Sequence, residues 1–389
     1  MLNENNIGIL TCVPDLWGDI WSSRHHVMSR LSRYYKVLWV SPPLPWRQVP
    51  SIGFSNMNTR GINRVSSNLW AYAPEWYLPC KTRFKFVLHC WDWARRRKIK
   101  RFLSEMGIKR LILYLWRPEY GSYVGKFDEE LVCYHIDDEY TFSFDKDLPV
   151  SKTEGDLIER SDVVFIHSKS LLKKKGHLNP ETHYMPNGVD FERFREILSD
   201  AAVNLHELDE IPRPRIGYVG YIKDQIDLDL IHHIAKEKKN WSIVLIGPAS
   251  LNHMEVKRKI ELLRKEKNVF ILGAKKPDEL PICINKLDVC LMCYRKNEYT
   301  KHIYPLKVNE YLACGKPVVS TYLENLKDFE PLIYFAGDAD DWIKKIHRCL
   351  DENDSAKNAR RIAVSEQNSW DRRVELITAL FQGKMPSVR

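Results

Sequence analysis

The stretch Tyr304–Thr321, YPLKVNEYLACGKPVVST, decides the reading of this chain. It reads as a short helix, a glycine stop and a buried strand. Pro305 suits the first helical position, where its missing N–H has no intrahelical partner to lose. Leu306, Val308, Tyr311 and Leu312 supply the apolar positions, and Lys307 and Glu310 fall one turn apart on a shared face. Gly315 is placed to end the helix, and Pro317 prevents its continuation. Val318-Val319 opens the strand. A helix start offers unpaired N–H groups and a partial charge of about +0.5 to a phosphate. Lys307 adds a full positive charge, and Glu310 is placed to accept hydrogen bonds from a pair of sugar hydroxyls. Together these groups suit a nucleotide-diphosphate sugar. The competing reading is an ordinary helix–strand unit of an α/β domain.

Length and composition bound the rest. A chain of 389 residues exceeds one ordinary core and predicts two domains. Apolar content of 44% and charged content of 29% are those of a soluble globular protein. No run of apolar residues is long enough for a transmembrane helix. The opening MLNENNIGILTCVPD lacks the basic and apolar regions of a signal peptide, so a cytoplasmic protein is expected. Nine scattered cysteines fit buried, reduced thiols. Cys290 and Cys293 have CxxC spacing but lie on a strand pattern, where positions three apart face opposite ways. No zinc set is completed, and no metal or cofactor is expected.

Net charge is +9, and residues 1–190 hold most of it, with 27 Lys and Arg against 21 Asp and Glu. The densest part, Lys81–Arg101, has nine basic residues and only Asp92 against them. Phe84, Phe86, Trp91 and Trp93 are interleaved, and Ile99, Phe102, Leu103 and Met106 continue an apolar stripe. A basic amphipathic helix with tryptophan is either a core helix with a solvated face or a membrane-surface element over residues 81–106. Nucleic acid is not the expected partner. On the membrane reading, removing charge at Arg95, Arg96 and Arg97 weakens binding to anionic vesicles.

Strand and helix patterns alternate through both halves. Ile7–Cys12, Val37–Val40, Leu111–Leu115, Leu131–His135 and Val163–His167 read as strands, with a helix from about Ser22 to Tyr34. Between Pro42 and Pro79 only a strand near Asn68–Tyr72 is expected. Residues 196–214 read as a polar linker. Beyond it, Arg215–Val219, Ser242–Ile246, Val269–Leu272, Val289–Tyr294 and Pro317–Thr321 read as strands. Leu228–Lys236, Glu255–Arg264 and Trp342–Leu350 read as helices. Ser369–Gln382 is a terminal helix with Ser369 as its cap. The expected domains are 1–195, the linker 196–214, 215–368, and the helix-bearing segment 369–389. Each domain is a doubly wound parallel sheet, which places a ligand at the carboxyl ends of its strands.

PLKVNEYLACGKPVVST resembles the donor-binding segment of GT-B glycosyltransferases of the family 4, or group 1, type. IGYVGYIKDQIDLDLI, WSIVLIGPAS and NVFILGAKKPDELP follow in the order such enzymes show. WSSRHHVMSRLSRYYKVLWVSPP resembles the opening of exopolysaccharide and teichuronic-acid glycosyltransferases. The resemblance is strong only over 215–321. It implies two Rossmann-like domains facing a central cleft, with the last helix crossing back to the first domain. It also implies transfer of a sugar from a nucleotide-diphosphate donor to a surface polysaccharide or lipid-linked glycan acceptor. Leu306, Lys307 and Glu310 would then bind the donor, Lys223 its phosphates, Leu272 and Gly273 the base, and Gly18 would approach from the other domain. Family members often carry a second glutamate eight residues before the Glu310 position. His302 stands there, so it is the substitute candidate for the sugar contact.

LVCYHIDDEYTFS places His135, Asp137 and Asp138 at a strand's carboxyl end, where a base for the acceptor hydroxyl belongs. Asp138 is the first candidate, then Asp137 and His135, against a solvated acidic turn. Arg24 and His25 are further candidates, against a helix cap and surface. Asn187-Gly188 reads as a turn at the domain hand-over. A nucleotide-sugar epimerase and a catalytically silent binding subunit are the competing functions.

Overall fold

The computed structural model describes residues 6–18, 21–43, 60–75, 77–78, 85–140, 150–200, 205–352 and 354–385. Lys81 and Phe84 of the basic stretch lie outside the described residues. The chain divides into two units, Met1–Pro186 with Arg373–Arg389, and Asn187–Arg372.

Runs of β-branched and large aliphatic residues form the central strands of the first unit, while the edge strands Gly61–Ser66 and Thr182–Tyr184 are polar and less buried. The strands are β1 (Ile7–Cys12), β2 (Lys36–Val40), β3 (Gly61–Ser66), β4 (Leu69–Ala73), β5 (Arg110–Leu115), β6 (Leu131–Ile136), β7 (Val163–Ile166) and β8 (Thr182–Tyr184). Their order is β3-β4-β2-β1-β5-β6-β7-β8, parallel throughout except for β3 on the edge. The order reverses between β1 and β5, so the switch point of this sheet opens beside those two strand ends. The terminal helix Trp370–Lys384 supplies Phe381 to this unit. Its ring lies 6.0 Å from Tyr114 and 6.3 Å from Phe165. Ser369 caps that helix as expected, accepting from the Arg372 N–H at 3.4 Å.

The second unit has β9 (Arg215–Val219), β10 (Ser242–Ile246), β11 (Val269–Gly273), β12 (Val289–Met292), β13 (Val318–Thr321) and β14 (Tyr334–Ala336). All pairs are parallel and the order is β11-β10-β9-β12-β13-β14. That is the Rossmann order, with its switch point between β9 and β12. The core is aliphatic, with Ile216, Ile243, Leu245, Leu291 and Val319 fully buried.

Two details differ from the sequence reading. Much of 196–214 is not a free linker: the helix Phe191–Ser199 buries Phe191 and Phe194, and Leu208 and Ile211 enter the same core. The unit boundary therefore falls earlier, between Pro186 and Asn187. The key helix begins at Lys307, with Leu306 as its cap, instead of at Pro305. The bonds Val308 N–H to Pro305 O and Asn309 N–H to Leu306 O span three residues, so the entry is a tight turn that precedes the regular helix. Its end is as read. Gly315 has φ +69°, its N–H reaches Leu312 O, and the Lys316 N–H reaches Tyr311 O, which satisfies the last carbonyls.

Candidate functional site

Three neighbouring strands of the second unit end alike, in YVG, LIG and ILG. Gly220, Gly247 and Gly273 follow or close β9, β10 and β11, and all three have positive φ. The Gly220 N–H reaches Ile246 O and the Gly247 N–H reaches Gly273 O, each at 2.7 Å. A Cβ on Gly247 would lie 2.2 Å from Gly220 O. A Cβ on Gly220 would lie 2.1 Å from Lys307 Cε and 2.4 Å from Nζ. The carboxyl edge of the sheet is thus bare backbone, and the Lys307 side chain lies across it. Its ammonium stands 5.3 Å from the centre of the Tyr218 ring.

Tyr311 fixes this arrangement. Its hydroxyl accepts from the Val219 N–H at 2.9 Å, tying the helix Lys307–Ala313 to the end of β9. Burial pushes the Lys307 ammonium down from its ordinary range, opposed by Glu310 and reinforced by the nearby charge of Lys223. Burial pushes the Glu310 carboxyl up, opposed by Lys307. Lys223, Lys307 and Glu310 therefore share one electrostatic neighbourhood, with Gly273 at the far end of the glycine row. Two cations, a carboxylate and a side-chain-free backbone edge have the chemistry that suits a polyanion carrying hydroxyls.

Leu306 is half-buried at the helix cap. His302 is buried at the end of the short turn Thr300–His302. Asn187 donates to Tyr304 O at 2.8 Å and Asn309 donates to Asn187 O at 3.0 Å, so the Asn187-Gly188 turn holds the entry to the key helix. Gly220 and Gly247 escaped the sequence reading. The signal was present in the repeated apolar-run-plus-glycine endings, but no GxGxxG spacing announces it.

In the first unit, a second constellation gathers at the switch point. Asp137 follows β6, Arg24 belongs to the helix Ser23–Leu31, and Asp15 lies in the loop after β1. Arg24 Nη2 lies 2.8 Å from Asp137, and Arg24 also pairs with Asp15. The Tyr140 hydroxyl donates to Asp137 at 2.6 Å. Burial pushes Asp137 up, but Arg24 and Tyr140 outweigh it and hold the carboxyl below its usual range. His135 is buried, its ring stacked on Trp116 at 4.2 Å with Nδ1 2.7 Å from the Tyr114 hydroxyl. Burial lowers its pKa to about 3, so it is neutral at physiological pH. Asp138 is half-buried and accepts from the Glu139 N–H at 2.8 Å. Glu139 itself is buried and paired with Lys174 and Lys175.

His25 is buried among Trp17, Trp21 and Trp39, with Nδ1 3.0 Å from the Ser22 hydroxyl. Gly18 is exposed, and a Cβ there would meet nothing within 4 Å. Among the described residues no group of three or more His, Cys, Asp or Glu side chains is arranged to hold a metal ion. No described helix is long and apolar enough to cross a membrane.

Two doubly wound units with these topologies define the GT-B fold, and solved structures with that fold match nearly the whole chain. Sucrose-phosphate synthase from Thermosynechococcus elongatus aligns with a TM-score of 0.70 at 14% identity, covering 97% of this chain and 98% of its own. HepE from Anabaena, in complex with UDP, aligns with a TM-score of 0.70 at 12% identity, covering 97% and 100%. Residues 213–352, which carry the glycine row and the Lys307–Glu310 helix, match the family model described as Glycosyl transferases group 1. A sequence relative, the glycosyltransferase TuaH of Bacillus subtilis (strain 168), named for teichuronic acid biosynthesis, is 28% identical over 232 residues. The match covers 57% of this chain and 57% of TuaH, so the chain spans little more than half the length of that relative.

Proposed function

We propose that this protein transfers a sugar, a hexose by class, from a nucleotide-diphosphate donor to a cell-surface polysaccharide or lipid-linked glycan acceptor. The reading rests on one observation: Lys307, with Glu310 as its charge neighbour, lies against Gly220 at the carboxyl edge of a group 1 domain. The glycine backbone lets a pyrophosphate approach. Lys307 and Lys223 neutralise it, Gly273 lies beside the base, and Leu306 and the helix cap flank the diphosphate. Glu310 accepts from ribose hydroxyls, and His302 takes the sugar contact. Transfer needs no cofactor and no metal, because lysine charge supplies the phosphate stabilisation. The enzyme works in the cytoplasm, against an anionic membrane surface met by residues 81–106.

Among the acids after β6, Asp138 is the candidate base. Asp137 is held as an anion by Arg24, and His135 as a neutral ring against Trp116. Those two are assigned to shaping the acceptor pocket around Asp138.

A thermal-shift screen against UDP-, GDP-, dTDP- and ADP-linked sugars tests the reading, starting with UDP because HepE is a UDP and UDP-glucose complex. A ligand at 100 times its Kd adds about 2.7 kcal/mol of stability. Glu310→Gln should remove most of the response. Asp138→Asn should keep it while lowering turnover by about 100-fold or more. Turnover surviving saturating EDTA is expected. No response to any donor, with a folded protein, sinks the reading and favours a silent subunit.

A further inference from the structure

The helix Lys85–Glu105 reverses the usual division of its faces. Ile99 and Leu103 point into the first unit's core and are buried. The outward stripe runs Phe86, His89, Cys90, Trp93, Arg97, Lys100, Arg101 and Ser104, spaced by three and four residues, and every one of these is exposed. Phe86 is 78% exposed and Trp93 56%, far beyond what single surface aromatics need. Tyr77, 49% exposed, joins them through Lys98, whose ammonium lies 3.0 Å from its hydroxyl. The aromatic half of the stripe thus leads into a cationic half.

Cations outnumber acids on this face, where Glu105 and Asp128 are the acids. Arg97 stands over the Trp93 ring at 5.2 Å. Lys100 pairs with Asp128 and Arg101 with Glu105, both exposed, where such pairs contribute little and exchange readily for lipid phosphates. Asp92 is turned away, 2.9 Å from Arg96. Arg95 is buried and donates to Leu78 O at 3.1 Å. The sequence grouped Arg95, Arg96 and Arg97 as one charge cluster for vesicle binding. The structure corrects this, because helical geometry turns the first inward and ties the second to Asp92, leaving Arg97 on the outer stripe.

We infer that the stripe Phe86–Cys90–Trp93–Arg97, with Lys100 and Arg101, is the surface that docks on an anionic lipid bilayer. Phe86 and Trp93 enter the headgroup boundary, and the cations meet lipid phosphates. This rests on the membrane partner proposed above and names the residues that make the contact. An exposed helix face that carries a phenyl and an indole ring beside cations matches the bilayer interface. A nucleic acid would also stack bases on exposed rings, and comparing an oligonucleotide with vesicles separates it from lipid.

Cys90 lies at the centre of the stripe and is the exposed cysteine among the described ones. In the full chain carrying Cys80→Ser, a polarity-sensitive dye on Cys90 reports docking directly, alongside co-sedimentation. The probes are vesicles of phosphatidylcholine alone and of phosphatidylcholine with phosphatidylglycerol. Retention is expected on the anionic vesicles only, weakening with salt and shifting the dye to the blue. Phe86→Ser with Trp93→Ser should weaken binding about tenfold or more. Arg97→Gln and Lys100→Gln should each weaken it about fivefold. Arg96→Gln should not change it. The side chains of the stripe are exposed, so the stripe variants should melt like the parent and keep its donor response. Wild-type retention that the stripe variants leave intact overturns this face while sparing the membrane reading. No wild-type retention overturns both, and so does stronger binding to an oligonucleotide than to anionic vesicles.

Discussion

At the residue scale, Gly220 carries the most specific demand. Its φ of +139° and its 2.1 Å approach to Lys307 Cε leave no room for a side chain. Gly220→Ala should cost about 1–3 kcal/mol through backbone strain and displace Lys307, removing the donor response. Gly18 has neither constraint, so Gly18→Ala should leave stability within about 0.5 kcal/mol. Thermal melts with and without donor check both. A Gly220→Ala protein that binds donor as the parent does would show that Lys307 is not held for that purpose. Spacing and charge put Lys307 and Glu310 on one helix face, and the structure sets their charges against each other. Gly220 was not legible in the sequence, because its requirement arises from a lysine far along the chain lying over the end of β9. Nor was the fate of His135 and Asp137: adjacency in sequence put both at a strand end, but only the fold sets one against Trp116 and the other against Arg24.

At the element scale, long apolar runs announced their strands and low-contrast elements did not. β3, Gly61–Ser66, is a largely exposed edge strand, so it shows no buried alternation. The helix Ser355–Gln367 buries Arg361 and Ser365 in place of an apolar stripe. Arg361 Nε donates to Leu332 O at 3.0 Å, and the guanidinium pairs with Glu352, which also takes Lys357 at 2.8 Å. This cluster ties the helices Ala339–Leu350 and Ser355–Gln367 to β14 through the Tyr334 hydroxyl, 2.7 Å from Glu352. Burial pushes the Glu352 carboxyl up, but Arg361, Lys357 and Tyr334 outweigh it and bring it from 4.5 to about 2. A carboxyl depressed in the fold contributes stability that is complete above its unfolded pKa and lost as pH falls through the folded one. The contribution of Glu352 is therefore full above pH 4.5 and fades toward pH 2. Glu352→Gln should lower stability at neutral pH and flatten the acid limb over that window in denaturant titrations. A parallel offset at every pH would show that the ionised carboxyl is not what ties these elements.

At the scale of the whole molecule, the two units have separate sheets and separate cores, and the first is completed by residues 373–389. The sequence read the terminal helix and its Ser369 cap, and the family resemblance sent it back to the first domain; the residues that receive it there, Tyr35, Tyr114 and Phe165, lie far apart in the chain and were not named. Phe381→Ala should cost that unit about 3–5 kcal/mol. Scanning calorimetry should show one of two transitions move, with the donor-stabilised one unchanged. A shift of both by the same amount would mean the units unfold as one.

The central claim is that Lys307, lying across the glycine row of the second unit, binds the diphosphate of a nucleotide sugar. Calorimetric titration of the best-responding nucleoside diphosphate into the parent and into Lys307→Met tests it most directly. Saturable binding that weakens about tenfold or more in the variant is predicted, as expected for loss of a charge-assisted contact in a partly desolvated site. Identical isotherms for the two proteins would contradict it.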